Sequence, residues 1–266
     1  MQVKTVWLSI CVGGLLAGCP QPTPDVGDVA LGEYDVQATT DADNCEIGDV
    51  VQDGNFEFRV KLSGDSGTDQ VLWEALATEL GGFHSIVVSR QPHGGEVGVH
   101  VDPAPGLTVL QGLDGHITTQ ANVLLAVTVA DCVPVYLLEP DSGAIGILHA
   151  GWRGTAGGIL EAGVRTLAGR SQKPPQAIVM HCGIAICGSC YEVGPEVAEA
   201  IVGARPAGPG PLDLRSALAN QAHRLGVSRV SVSDFCTAHD PTTFHSHRAS
   251  GPAAGRMAAY IGRRSG

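Results

Sequence analysis

The 266-residue sequence predicts an α/β (α+β) fold: a mixed-sheet sandwich forming a single catalytic domain. Three observations point there. Strand-like and helix-like segments are interspersed without the regular βαβ rhythm of a doubly wound sheet. The run "VLLAVTVA" (123–130) reads as a fully buried strand, and "CVPVYLLE" and "GAIGILHA", which flank the turn signal "PDSG", read as a hairpin. Glycine is abundant at 36 residues while aromatics make up 5%, a balance that suits tight turns and strand packing better than long helical bundles.

The remaining elements follow in order. Val71, Leu72, Ala75, Leu76 and Leu80 recur at helical spacing over 69–82, with Gly81-Gly82 as a stop. "HSIVVSR" (84–90) and "EVGVHV" (96–101) are short strands. A helix is expected over 155–169, then a strand "QAIVM", a short helix "VGPEVAEAIVG" and a longer helix over 213–226. "SRVSVS" and "RMAAYIG" are the closing strands. No internal repeat and no glycine-rich phosphate loop of Walker or Rossmann type is present in the sequence.

The segment ahead of Asp69 is different in character. "MQVKTVWLSICVGG" carries an apolar run too short to span a bilayer comfortably, and "LAGC" at 16–19 resembles a bacterial lipobox, with Cys19 the lipidated residue. The expected organisation is a signal peptide over 1–19, an acidic linker over 20–68 with a strand at "FEFRVKL" (56–62), and a main domain over 69–266. A used lipobox implies a cell-envelope lipoprotein, its membrane contact being the lipid anchor alone; an unused one implies a cytoplasmic protein. The formal net charge is −11, which argues against a nucleic-acid partner. Residues 1–68 hold 11 acidic and 3 basic side chains, so the acidity says little about the substrate of the main domain.

Three residues carry the candidate chemistry: His93 in "QPHGGEV", Cys132 in "ADC" and His149 in "HAGWRG". Each stands at a strand end or in a glycine-rich turn, where a side chain projects from a rigid sheet into a cleft. Two imidazoles and a thiolate suit zinc, and three ligands leave a fourth position open, as catalytic sites do. Each residue also has a plain structural reading, Cys132 as a small core residue and the histidines as hydrogen-bonded side chains. The "CGSC" pair at 187–190 is read as a fortuitous neighbour rather than an active dithiol: a structural zinc site needs a second ligand pair and none is evident, and a thioredoxin-like motif needs a clear helix after the strand. Cys236, His239, His245, His247, Arg248 and Arg256 crowd a loop-rich stretch that is either a site wall or a polar surface loop.

These motifs resemble one family in order: "QPHGGEV", "VADCVPV", "HAGWRGTAGGILE", "CYEVGPEV" (190–197), "FCT" (235–237), "SHR" (246–248) and "GRMAAYI" (255–261). The family is the multicopper polyphenol oxidase or laccase-like domain, also called peptidoglycan editing factor and bacterial purine nucleoside phosphorylase. The resemblance covers about 69–262 and implies an α/β sandwich similar to the deamidase domain of cytotoxic necrotizing factor. It further implies a zinc ion on His93, Cys132 and His149, with phosphorolysis of adenosine, inosine, guanosine and methylthioadenosine and deamination of adenosine. On that reading the substrate is a small molecule, a purine nucleoside with phosphate, and the chain is a monomer. Arg153, Arg248 and Arg256 are the guanidiniums available to hold an anion, and Asp131 and His247 the groups available to move protons.

Two alternatives stay open. A copper polyphenol oxidase is one, since Cu(II) outcompetes zinc at N/S sites, although only His245-x-His247 has the paired spacing of a multicopper centre. A hydrolase or amidase acting on a peptidoglycan precursor is the other, with Cys132 as nucleophile and His149 as base. Three departures from the family pattern bear on substrate range. The family's N-terminal Thr-Arg-x-Gly-Gly loop has no clear counterpart, "GIAICGSC" replaces Gly-Pro-x-Ile-Gly-Pro, and Ala249 stands where a second arginine is common.

Overall fold

A computed structural model of the chain describes short strands between residues 33 and 63, then residues 83–240 and 243–265. The expected signal peptide, lipobox cysteine and 69–82 helix lie outside the described residues. The first five strands are β1 (Glu33–Asp35), β2 (Ala38–Asp41), β3 (Asn44–Ile47), β4 (Val50–Gln52) and β5 (Phe56–Ser63). β6 (Ser85–Arg90), β7 (Val97–His100), β8 (Gly106–Gln111), β9 (Gly115–Thr118) and β10 (Val123–Val129) follow. The predicted hairpin is β11 (Val133–Glu139) and β12 (Ala144–Ala150), paired antiparallel. After it come β13 (Val179–Cys182), the two-residue strands β14 (Glu192–Val193) and β15 (Gly210–Pro211), β16 (Arg229–Val232) and β17 (Arg256–Arg263).

Two mixed sheets make the body of the molecule. One has seven strands in the order β2-β3-β5-β17-β10-β6-β8, and the other six in the order β16-β13-β11-β12-β9-β7. Side-chain alternation explains why they stack. Val123, Leu125, Val127 and Val129 of β10 and Met257, Ala259 and Ile261 of β17 meet Tyr136, Leu138, Ile145 and Ile147 of the second sheet in one buried cluster. The opposite faces of β11 and β12, Val133, Val135, Leu137 and Leu148, are buried instead against helix residues Ile159, Leu160, Val164, Leu167, Leu218 and Ala222. A strand covered on both sides has no polar face to show, which is why β10, β11 and β12 read as continuous apolar runs.

The single helix expected over 155–169 is two helices, Trp152–Ala156 and Ile159–Ser171. The break falls at Gly157-Gly158, where Gly158 takes φ 85, left-handed backbone that glycine adopts without strain. The strand expected at "QAIVM" starts late, because Pro175–Ala177 forms a 3-10 turn first. The other two helices sit where their boundary residues put them. Pro195–Val202 opens on proline and ends on left-handed Gly203, and Leu214–Arg224 is capped by Asp213, whose carboxylate accepts from the N–H groups of Arg215 and Ser216. Loop expectation and structure differ at His247–Ser250, a short helix capped by Ser246. Strand β5, ahead of Asp69, pairs with β17 along its whole length, from Phe56 opposite Arg263 to Ser63 opposite Arg256.

Candidate metal centre

The topology gathers the site at one end of the six-stranded sheet. β12 runs antiparallel to both β11 and β9, and β7 runs parallel to β9. The starts of β7, β9 and β11 therefore lie beside the end of β12. His93, Asp114 and Cys132 precede those three strands, and His149 is the penultimate residue of β12. The hairpin acts as a rigid spacer closed at its far end by Glu139. Its buried carboxylate accepts from the N–H groups of Asp141 (3.2 Å) and Ser142 (2.8 Å) and from the Ser142 hydroxyl (2.5 Å).

One nitrogen each from His93 and His149 and the Cys132 sulfur lie within 4.8 Å of one another. The His93 and His149 rings meet edge to face at 4.8 Å between centroids. His149 is buried, Cys132 half-buried and His93 exposed, so the cluster opens to solvent on the His93 side.

Behind it stands Asp114, a fully buried carboxylate that sequence reasoning missed. Its Oδ1 is 2.9 Å from His149 Nδ1 and 3.0 Å from the His93 N–H, and its Oδ2 is 2.6 Å from the Gly94 N–H. An ionised carboxylate only accepts, so His149 carries its proton on Nδ1 and turns Nε2 toward the cluster. This is the outer partner that metal-ligating histidines ordinarily have. The backbone N–H bond to Asp114 also holds His93 at φ 65, a conformation uncommon outside glycine. Gln91 adds a second anchor to the same loop: its amide bonds both the carbonyl and the N–H of Thr128, each at 2.8 Å.

The glycines of "HAGWRG" are explained by crowding. A Cβ at Gly151 would stand 3.0 Å from the Cys132 sulfur and 3.5 Å from His93 Cδ2; one at Gly154 would meet the Gly94 carbonyl oxygen at 2.8 Å. Electrostatics prepare the thiol for a cation. Burial alone would push Cys132 up, but the His149 charge and hydrogen bonds from His149 and His93 outweigh it and hold the thiol at about 6. Burial alone would lower His149; the Cys132 thiolate and the bond to Asp114 raise it to about 9. The donor set of two imidazoles, one thiolate and a buried orienting carboxylate fits zinc or another borderline ion with a fourth position left open.

The other predicted residues fall in three groups. Asp131, at φ 84 and buried, accepts at Oδ1 from the Thr237 hydroxyl (2.5 Å) and at Oδ2 from the Arg248 N–H (2.6 Å). Arg248 thereby stands next to the cluster, its guanidinium 5.1 Å over the Tyr191 ring and bonded to the Glu192 carbonyl. The half-buried Tyr191 phenol is pushed up by burial first and then by the Cys132 charge, and it also feels Arg248, Asp131 and Arg153. Arg153 is exposed and lies 4.5 Å over the Trp152 ring; His247 is exposed on its short helix. Arg256, one residue ahead of the Met257 that pairs with Val129, donates to the carbonyls of Ala254 and Gly255. Cys236 and His239 do not join this cluster. They meet Cys187 and Cys190 instead, so a second pair of metal-binding side chains does stand beside the CGSC loop, contrary to the sequence-based expectation.

Two imidazoles and a thiolate, open to solvent on one side at the end of a β-sandwich, make a site whose donors could hold a metal ion. Residues 64–264 match the family described as multi-copper polyphenol oxidoreductase laccase, and the chain belongs to that family. Purine nucleoside phosphorylase YlmD of Geobacillus stearothermophilus is 40% identical over 170 residues, 59% of this chain and 62% of that protein. The match therefore spans about three fifths of that relative. A purine nucleoside phosphorylase of Streptomyces coelicolor is 35% identical over 208 residues, covering 75% of this chain and 84% of its own. An adenosine deaminase from an unknown prokaryotic organism is 33% identical over 209 residues, with 71% and 79% covered. Among solved structures, YlmD of G. stearothermophilus superposes with TM-score 0.74 at 29% identity over 86% of this chain and all of its own. YfiH of Bacillus licheniformis gives 0.75 at 25% identity, over 85% and 99%. Residues 69–266 alone make up a smaller share of the chain, so both superpositions reach ahead of Asp69. Among the described residues, no helix is long and apolar enough to cross a membrane.

Proposed function

We propose that the chain is a zinc-dependent purine nucleoside enzyme, carrying out phosphorolysis of adenosine, inosine, guanosine or methylthioadenosine and deamination of adenosine. The observation that carries this reading is the convergence of His93, Cys132 and His149 within 4.8 Å, with Asp114 fixing His149 from behind. The names of the relatives, phosphorylases and a deaminase of purine nucleosides, supply the substrate class. When bound, a zinc ion supplies Lewis acidity and an ionised water near neutral pH.

The chain's own residues do the rest. His93 stands at the solvent side and admits substrate, while His149 and Cys132 form the floor. Arg248, whose backbone N–H is bonded to the Asp131 carboxylate ahead of Cys132, holds phosphate as a charge-assisted donor, with Tyr191 beneath its guanidinium. Asp131 positions Arg248 through its backbone N–H. Exposed His247, one residue before Arg248, is the group free to exchange protons with solvent. The test is phosphate-dependent release of hypoxanthine from inosine, with adenosine deamination followed in parallel. Arg248→Ala is expected to raise the phosphate KM about 10-fold or more, the value of a charged hydrogen bond. Activity that is absent on all four nucleosides would overturn the reading.

One observation supports a second reading. Asp114, His149 and Cys132 stand in series, as a carboxylate, an imidazole and an activated thiol do in cysteine hydrolases. His93 separates the two: His93→Ala abolishes a metal-dependent activity and leaves a Cys132–His149 hydrolase working. A copper-dependent polyphenol oxidase is the third reading, distinguished by phenol oxidation after copper loading.

A further inference from the structure

The "CGSC" loop ends against the loop that follows β16. The sulfurs of Cys187, Cys190 and Cys236 and a ring nitrogen of His239 all lie within 4.8 Å of one another, a set that shares no residue with the first cluster. We propose that Cys187, Cys190, Cys236 and His239 form a second metal site, a closed Cys3His zinc clip that is structural rather than catalytic.

Four features support it. The spacing is Cys-x-x-Cys on one loop and Cys-x-x-His on the other, the paired arrangement of structural zinc sites. Each half is already folded as a ligand turn, with the Cys190 N–H bonded to the Cys187 carbonyl (3.1 Å) and the His239 N–H to the Cys236 carbonyl (3.2 Å). Across the halves, the Cys187 N–H donates to the Cys236 sulfur at 3.3 Å, and His239 Nε2 stands 3.8 Å from the Cys187 sulfur. The loops are held in register by the Ala185–Cys236 bridge and the Thr237 N–H bond to the Ala185 carbonyl. A Cys187–Cys190 disulfide would use two of these groups and leave the buried Cys236 thiol and the His239 ring unexplained. Four protein ligands complete a tetrahedron, with the cysteines binding as thiolates.

The clip has a structural consequence at the first site. Ile186, next to Cys187, donates its N–H to the Asp131 carbonyl (3.1 Å), and Thr237, next to Cys236, donates its hydroxyl to Asp131 Oδ1. Both halves therefore grip the residue ahead of Cys132.

The test compares the full chain with Cys187→Ser/Cys190→Ser, His239→Ala and His93→Ala/Cys132→Ala, all purified reduced and loaded with zinc alone. Elemental analysis is expected to show one zinc equivalent fewer in the Cys187/Cys190 variant than in the parent, whatever the first site holds. With cobalt(II) as probe and both sites filled, the thiolate charge-transfer band is expected to fall to about a quarter, since three of four thiolates belong to the clip. His239 is exposed, so His239→Ala should fold and release its zinc to a chelator at least ~10-fold faster. Equal zinc in parent and Cys187/Cys190 variant would overturn the proposal. So would a Cys187–Cys190 disulfide in the zinc-loaded parent. Failure of the first site shows separately, as unchanged zinc in the His93/Cys132 variant.

Discussion

At the scale of single residues, Asp114 does most to make three dispersed side chains into one centre. Asp114→Asn keeps the shape but replaces one of its two acceptor oxygens by an NH2 donor, which must face either His149 Nδ1 or the Gly94 N–H, and should weaken metal binding about 10- to 100-fold, read by competition with a chromophoric chelator. The thiol–imidazole pair sets the pH dependence. Cys132 is held at about 6 and His149 raised to about 9, so between these values the metal-free pair is thiolate and imidazolium. Metal binding then displaces one proton, and two below pH 6. From this pair, zinc affinity should rise about tenfold per pH unit between about 6 and 9 and about a hundredfold per unit below that range. A pH-independent affinity would contradict the ligand set. His93, Cys132 and His149 were legible because metal-binding residue types stood in glycine-rich or strand-end contexts. Asp114 was not, because Asp-Gly reads as an ordinary turn and only the pairing of β9 with β12 brings it to His149.

Among the elements, the short helix Trp152–Ala156 and the His93 loop press together backbone to backbone. Gly154→Ala places a methyl against the Gly94 carbonyl, an obstacle no rotamer can avoid. The expected result is loss of bound metal together with about 1–3 kcal/mol of stability, measured by chemical denaturation. Gly158→Ala is the contrast: nothing lies within 4 Å of the added Cβ, but φ 85 remains, so it should cost about 1–2 kcal/mol and leave the metal in place. The helix expected over 155–169 kept its apolar spacing in the structure but not its continuity. Periodicity reports which face is buried, while the break depends on how near another loop's backbone comes.

For the whole molecule, the informative contact is between β5 and β17. β17 is an interior strand of the seven-stranded sheet, with β10 on one side and β5 on the other. A chain beginning at Asp69 would expose the backbone edge of a strand whose Met257, Ala259 and Ile261 are buried in the sandwich core. Such a truncation is expected to aggregate or melt well below a chain that keeps 56–63, as scanning calorimetry and size exclusion would show. The opposite result, equal melting temperatures, would place the independent domain at Asp69.

The sequence by itself determined the buried strands, the hairpin, the two later helices and the three candidate ligands, because periodicity, turn residues and metal-binding side chains are local properties. Tertiary structure alone decided which distant loops share an end of a sheet. Asp114 joined His149 through strand pairing, and Cys236 and His239 joined Cys187 and Cys190 through a bridge between Ala185 and Cys236, which are far apart in the sequence. Neighbouring charges then outweighed burial, since a thiol that would be an ordinary core cysteine is lowered to about 6 only where an imidazole backed by a carboxylate stands beside it.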